Sequence, residues 1–379
     1  MNHIKNIYCL GIPSAGTEIE LNFNLDKNIT FLTGHNGVGK TKILKAIHEN
    51  ICLSKENKSF QNANNSTEYL IYINFEKSDR YSIIQKDVSF HNKISYENSE
   101  FGKKLQSIHK TKWPTAIKKM KELYDEIDKY NKQSENLSIN PHLEKELCIL
   151  QSAKRALTNK MPNSLFFSYD TVHYSGNYND NAKDISLDHQ LELTLERFKK
   201  LPSGRKKDIS QKYFTKKEIE LIINNIKGEK YNNISYEKLS LLEELLKNTN
   251  QSNKNLAISK IIPVLNVFFK ETNREIIYDD NEVIKCKLLK SDEVISWREL
   301  SKGEKSIIFL CFSVYFYSNE NVMFLIDEPE TALHISWQEK LVTELVKLSP
   351  NSQFIIATHA PSIIFKTEQE QYFNLENYE

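Results

Sequence analysis

The stretch from Ile29 to Ile43, ITFLTGHNGVGKTKI, constrains this chain more than any other. An apolar, strand-like run meets a glycine-rich turn, Gly34-His35-Asn36-Gly37-Val38-Gly39-Lys40-Thr41, and continues with apolar residues at Ile43, Leu44 and Ile47, the spacing of one helix face. Gly, four residues, Gly-Lys, then Thr is the spacing of a phosphate-binding loop. Its backbone amides, those of Asn36, Gly37 and Gly39 among them, would cradle the α- and β-phosphates of a nucleotide. Lys40 would reach the β- and γ-phosphates, and the Thr41 hydroxyl would hold Mg²⁺. The phosphate would sit on a helix N-terminus, whose dipole favours anions.

At 379 residues and 39% hydrophobic, the chain can bury a good core and is long enough for two or three domains, or for one large domain with an insertion. Lys and Arg number 51 against 50 Asp and Glu, a net +1, so no global field draws nucleic acid or a membrane surface and any such contact needs a local patch. Two basic clusters, Lys103 to Lys121 and Lys199 to Lys217, offer one, although locally balanced charge favours a solvated helix face. The five cysteines are dispersed with no Cys-x-x-Cys pair, which predicts reduced thiols. No apolar leader or membrane-length stretch is evident, so the expected location is cytoplasmic.

Residues Ile4 to Phe23 read as two strands ahead of Ile29 to Thr33, and Tyr69 to Phe75 with Tyr81 to Ile84 as a hairpin. From about Glu100 the pattern is charged helix, interrupted by a strand-like run at Ser164 to Tyr174 and resumed from Ile185 to Asn248. Leu256 to Phe269 predicts a helix, Ile276 to Leu289 a hairpin turning at Asp279 to Asn281, and Ser306 to Tyr317 a buried helix. Asn321 to Ile326 is an apolar strand ending in Asp327-Glu328-Pro329-Glu330. The helix His334 to Leu348 separates it from the strand Gln353 to Thr358, which ends at His359. Strand, helix, strand with polar residues at the strand ends is the layout of a parallel sheet that binds its ligand at the carboxyl edge. There Asp327 would hold Mg²⁺ and Glu328 would orient the attacking water.

The segments GHNGVGKT, LSKGEK, MFLIDEPETALH and FIIATHAPS, in this order, resemble the ABC-type ATPases in their non-transport branch, beside the RecF, SMC and overcoming-lysogenization-defect (OLD) ATPases. The resemblance covers both ends of the chain. It implies an α/β fold, a two-lobed ABC-type P-loop ATPase head with an α-helical insertion. The expected domains are 1–98 (P-loop lobe), 99–250 (insertion) and 251–379 (signature, Walker B and switch histidine). It further implies ATP and Mg²⁺ as cofactors and a homodimer, or a higher homo-oligomer, with composite sites. Ser301 and Gly303 would act on the nucleotide of the other protomer, His359 would contact the γ-phosphate as switch histidine, and Thr331 to His334 would line the seam.

The sequence departs from the family pattern in three places. Leu333-His334 stands where transport subunits carry Asp after Ala-Leu, Lys302 replaces the first glycine of the signature pair, and the Q-loop glutamine has only Gln85 as a candidate. The first departure is shared with OLD-like and defence-associated ATPases. With only Lys366 to Glu379 beyond the switch region, no nuclease domain is expected in this chain. The arrangement is similar to stand-alone ATPase subunits of bacterial anti-phage systems such as Septu, PARIS and retron-associated modules, which implies a separate effector, a nuclease. A RecF-like DNA-repair ATPase that binds nucleic acid and a non-catalytic, ATP-held scaffold are the alternatives.

Overall fold

The computed structural model describes residues 3–11, 18–55, 70–76, 114–122, 125, 162–168, 171–174, 186–201, 253–278, 284–318, 322–364 and 370–378. Its elements in chain order begin with β1 (Ile4–Leu10), β2 (Glu18–Asn22), β3 (Ile29–Thr33), α1 (Lys40–Lys55), β4 (Leu70–Phe75), β5 (Asn163–Ser168) and β6 (Thr171–Tyr174). They continue with α2 (Leu187–Lys199), α3 (Asn253–Phe269), β7 (Arg274–Tyr278), β8 (Ile284–Leu288), β9 (Val294–Ser296) and α4 (Lys302–Tyr317). The last are β10 (Val322–Asp327), α5 (Ile335–Leu348), β11 (Gln353–Ala357), α6 (Pro361–Ile364) and β12 (Glu370–Asn374). Tyr81 to Ile84, Gln85, the hairpin turn at Asp279 to Asn281 and most of both basic clusters lie outside the described residues. The chain forms two compact units, Met1–Leu187 with Phe316–Glu379, and Asp188–Tyr315.

In the first unit the apolar runs pair into a six-stranded sheet of order β12-β3-β11-β10-β5-β6. Every neighbouring pair is parallel except the last, β5 with β6. β10 and β11 are buried along their whole length, which is why they read as unbroken apolar runs rather than alternating ones. Alternation sorts their side chains by face instead. Met323, Leu325, Ile355 and Ala357 join the cluster that surrounds α1, while Phe324 and Phe354, one residue along, stack on each other at 4.9 Å.

The same cluster takes in Ile7, Cys9, Ile19, Leu21, Ile71 and Ile73 from an antiparallel sheet of order β2-β1-β4. Helix α1 therefore lies between two sheets, with Ile43, Leu44, Ile47 and Ile51 fully buried. Burial of each such side chain contributes about 1.5–3 kcal/mol, so the helix that follows the glycine-rich loop is firmly seated. That seating fixes where the loop ends.

Strands β5 and β6 come from the 99–250 range and add the far edge of this sheet. Within that range residues 114–122 are helical, with Ala116 and Met120 buried.

The second unit holds the antiparallel sheet β7-β8-β9 with α2, α3 and most of α4. Asn266 on α3 brackets β7, accepting from the Ile276 N–H at 2.7 Å and donating to its carbonyl at 3.0 Å. Helix α4 opens at Lys302, a turn before the expected Ser306. The reason is local: Ser301 and Glu304 cap it reciprocally, Ser301 N–H donating to Glu304 at 2.8 Å and Glu304 N–H to Ser301 Oγ at 3.4 Å.

Among the described residues no helix is long and apolar enough to cross a membrane.

Candidate nucleotide site

Parallel pairing sets all the relevant strand ends at one edge of the six-stranded sheet. Asp327 pairs with both Ala357 and Ser168, Ala357 pairs with Leu32, and Thr33 pairs with Asn374. The glycine-rich loop therefore converges with Glu328, Thr358-His359 and the segment after β12, from which it lies hundreds of residues away in sequence.

The loop bends through Gly34, Gly37 and Gly39, with φ of 130°, 89° and 95°. A side chain is strained at such angles. At Gly34 a Cβ would also lie 3.0 Å from Val38 Cγ1, whereas at Gly37 it would meet nothing within 4 Å. Asn36 and Gly37 face solvent, and Gly39 is buried.

Lys40, only 4% exposed, donates to the carbonyls of Gly34 at 2.8 Å and His35 at 2.9 Å, and to His359 Nδ1 at 3.3 Å. Burial holds its pKa below the ordinary lysine value, and the carboxylates of Glu328, Asp327, Glu330 and Glu376 oppose that shift. An ammonium group has only protons to give, so Nδ1 accepts and a neutral His359 carries its proton on Nε2. Nε2 lies 3.3 Å from Glu328 Oε1.

Glu328 has a φ of 46°, rare for a residue with a side chain, and its N–H is held by the Ala357 carbonyl at 2.9 Å. The neighbouring strand thus stabilises the turn that leaves its carboxylate half exposed beside His359.

Thr41 Oγ1 donates to Asp327 Oδ1 at 3.0 Å, and Ser168 Oγ reaches Asp327 Oδ2 at 3.5 Å. Burial pushes the Asp327 carboxyl up to about 6, with Glu328 and Glu330 adding to the rise and the Thr41 and Ser168 hydroxyls pulling it back. A buried carboxyl next to hydroxyl oxygens, with the nearest ammonium bonded elsewhere, is a hard-oxygen donor set that suits Mg²⁺. No group of three or more His, Cys, Asp or Glu side chains able to hold a metal occurs among the described residues. Mg²⁺ does not need one, since it takes one or two protein oxygens and completes its shell with phosphates and water.

Three residues of this edge were not picked out by sequence reasoning. Glu330 Oε1 accepts from Thr358 Oγ1 and from the His359 N–H, both at 2.8 Å, so it fixes the backbone that carries His359. Glu376 Oε1 accepts from the His35 N–H at 2.7 Å and lies 3.2 Å from the His35 ring, which ties the segment after β12 to the loop. Ser168 reaches Asp327 only through the pairing of β5 with β10. The DEPE run signalled Glu330; nothing local signalled the other two.

Ser301 and Gly303 lie in the second unit. Ser301 is exposed just ahead of α4, and Gly303 is buried in its first turn.

A family described as AAA ATPase domain matches residues 18–364. The chain belongs to this AAA ATPase family. It is 25% identical to "Retron Vc95 probable ATPase" of Vibrio cholerae serotype O1 biovar El Tor, across 91% of this chain and 68% of that protein. It is 24% identical to "Retron Ec83 probable ATPase" of Escherichia coli, across 94% of this chain and 68% of that protein. Among solved structures it aligns with SMC head domains. One, with an extended coiled coil and bound to the C-terminal domain of ScpA derived from Pyrococcus furiosus, is 14% identical with a TM-score of 0.39, covering 99% of this chain and 94% of that one. Another, from Thermotoga maritima, is 14% identical with a TM-score of 0.38, covering 98% and 94%. The parallel sheet and the strand-loop-helix from β3 to α1 give this AAA ATPase an α/β, P-loop fold.

Proposed function

We propose that the chain hydrolyses ATP with Mg²⁺ and that the two nucleotide states of a homodimer govern a separate effector, a nuclease, in bacterial anti-phage defence within the cytoplasm. The observation that carries the chemistry is the meeting of Lys40, Thr41, Asp327, Glu328 and His359 at one sheet edge. Lys40 and the loop amides of Asn36, Gly37 and Gly39 bind the phosphates, while Thr41 and Asp327 hold Mg²⁺. The metal supplies charge neutralisation at the β- and γ-phosphates.

Glu328, exposed and beside His359, orients the attacking water and takes its proton, and His359 donates from Nε2 to the γ-phosphate. Ser301 and Gly303 complete the site of the other protomer, so bound ATP favours the closed dimer and hydrolysis releases it. The defence setting and the partner rest on the similarity to the two retron ATPases, together with the DEPETALH and ATHAPS runs.

Steady-state phosphate release tests the reading. Glu328→Gln is expected to retain nucleotide binding while turnover falls by about a hundredfold or more, and Lys40→Ala to lose binding itself. Unchanged turnover in Glu328→Gln would sink the assignment. For the partner, complexes isolated from the native host with Glu328→Gln in Mg-ATP should hold an effector protein that Lys40→Ala does not. Equal retention by both would remove the nucleotide switch.

A further inference from the structure

The nucleotide edge does not use Arg274 or Glu304, which form an ion pair at the base of the signature loop. Glu304 is 4% exposed, and a buried carboxylate persists only when its oxygens are satisfied. Both are. Oε2 accepts from the Ser301 N–H and from Ser301 Oγ–H, each at 2.8 Å, and Oε1 accepts from the Arg274 guanidinium. Neighbouring charges have other partners: Lys305 pairs with Asp188 at 2.8 Å, and Glu275 with Lys270 at 3.2 Å.

Arg274 is itself firmly placed at the start of β7. It follows Asn273, whose φ of 55° makes a tight turn, with its N–H bonded to the Lys270 carbonyl and its own carbonyl taking the Leu289 N–H at 2.9 Å. Asn266 clamps the same strand two residues further on.

We propose that Arg274 is a positioning residue for Ser301: by fixing one oxygen of Glu304 it fixes the other, and so decides where the exposed serine is held. Without Arg274 the buried carboxylate has one unpaired oxygen and turns toward water, which withdraws the acceptor that holds both Ser301 groups. A guanidinium suits the task because its planar fork keeps a carboxylate in one orientation, where an ammonium acts only as a point charge. That an ordered Ser301 serves ATP hydrolysis rests on the function proposed above.

The test uses the full chain with Arg274→Ala and Arg274→Lys, read by ATP turnover, equilibrium binding of a fluorescent ATP analogue, thermal midpoint and amide exchange of the Ser301 peptide. In Arg274→Ala, kcat is expected to fall about tenfold to a hundredfold, the loss typical of misplacing a group by about 1 Å, with analogue affinity unchanged and Ser301 exchange faster. Arg274→Lys recovers part of both effects. Unchanged kcat in Arg274→Ala would overturn the proposal. So would a loss of affinity and thermal midpoint in parallel with kcat and without recovery by lysine, because Arg274 would then be a general structural support. If the wild-type chain turns over no ATP, the hydrolytic reading fails and the exchange measurement still decides: Ser301 exchange as slow in Arg274→Ala as in wild type overturns the positioning role.

Discussion

The two units stabilise their polar sites by opposite means. At the nucleotide edge the partners are remote in sequence: Lys40 meets His359 across 319 positions, Thr41 meets Asp327 across 286 and His35 meets Glu376 across 341. Around the signature loop they are close. Ser296 and Glu299 form one capping box and Ser301 and Glu304 a second, while Arg274, Glu192 and Asp188 reach Glu304, Arg298 and Lys305 from further off. The first site therefore exists only when the sheet has its register, since slipping one strand by a residue turns every side chain to the other face. The second is built mostly from local turns, with Arg274 at the start of β7 holding one oxygen of Glu304. The nucleotide edge should accordingly be the more sensitive to loss of a single tertiary tie.

Glu330→Ala tests this most severely. It deprives the His359 N–H and the Thr358 hydroxyl of their acceptor, and an unsatisfied buried donor costs about 1–3 kcal/mol. Denaturant unfolding should report that loss, and turnover should fall with it because His359 loses its fixed backbone. Stability within error of wild type would show that the strand ends stay together without this carboxylate.

Ser296→Ala removes only a local cap and should cost about 0.5–2 kcal/mol, with nucleotide affinity unchanged. A loss of affinity on binding titration would contradict the local character assigned to this region.

Glu376→Gln should have the smallest effect, and a pH-dependent one. The His35 N–H and ring, with Asn374, hold the Glu376 carboxyl below the ordinary glutamate value. The stability it contributes is therefore present above the unfolded-state pKa and is lost as pH falls through the lower folded-state value. Acid titration of wild type and Glu376→Gln should show a small gap at neutral pH that closes below the glutamate range. A gap that persists in acid would mean that the charge of Glu376 is not what ties it to the loop.

Much of the site was legible because its chemistry is written in short runs. GHNGVGKT, the Asp327-Glu328 pair at a strand end and His359 at the next all carry their meaning within a few residues of spacing, and the structure brings them to one edge. Helix α4 starts at Lys302, ahead of its apolar run, because the Ser301 and Glu304 cap extends it backward. Ser168 and Glu376 were not legible at all. A serine at the end of a strand and a glutamate near the end of the described chain have no pattern that marks them, and each acquires its partner only from sheet order.

The sequence by itself determined the strand-loop-helix, the acidic strand end and the histidine after β11, because backbone preferences and hydrophobic period act over a few residues. Only the tertiary structure decided which strand lies beside which: β12 against β3, and β5 against β10. With that order came Glu376 on the loop, Ser168 on Asp327 and Glu330 under His359. The physical reason is that parallel neighbours are joined through long crossovers, so their pairing is chosen by burial on both faces of the sheet, which local sequence does not encode.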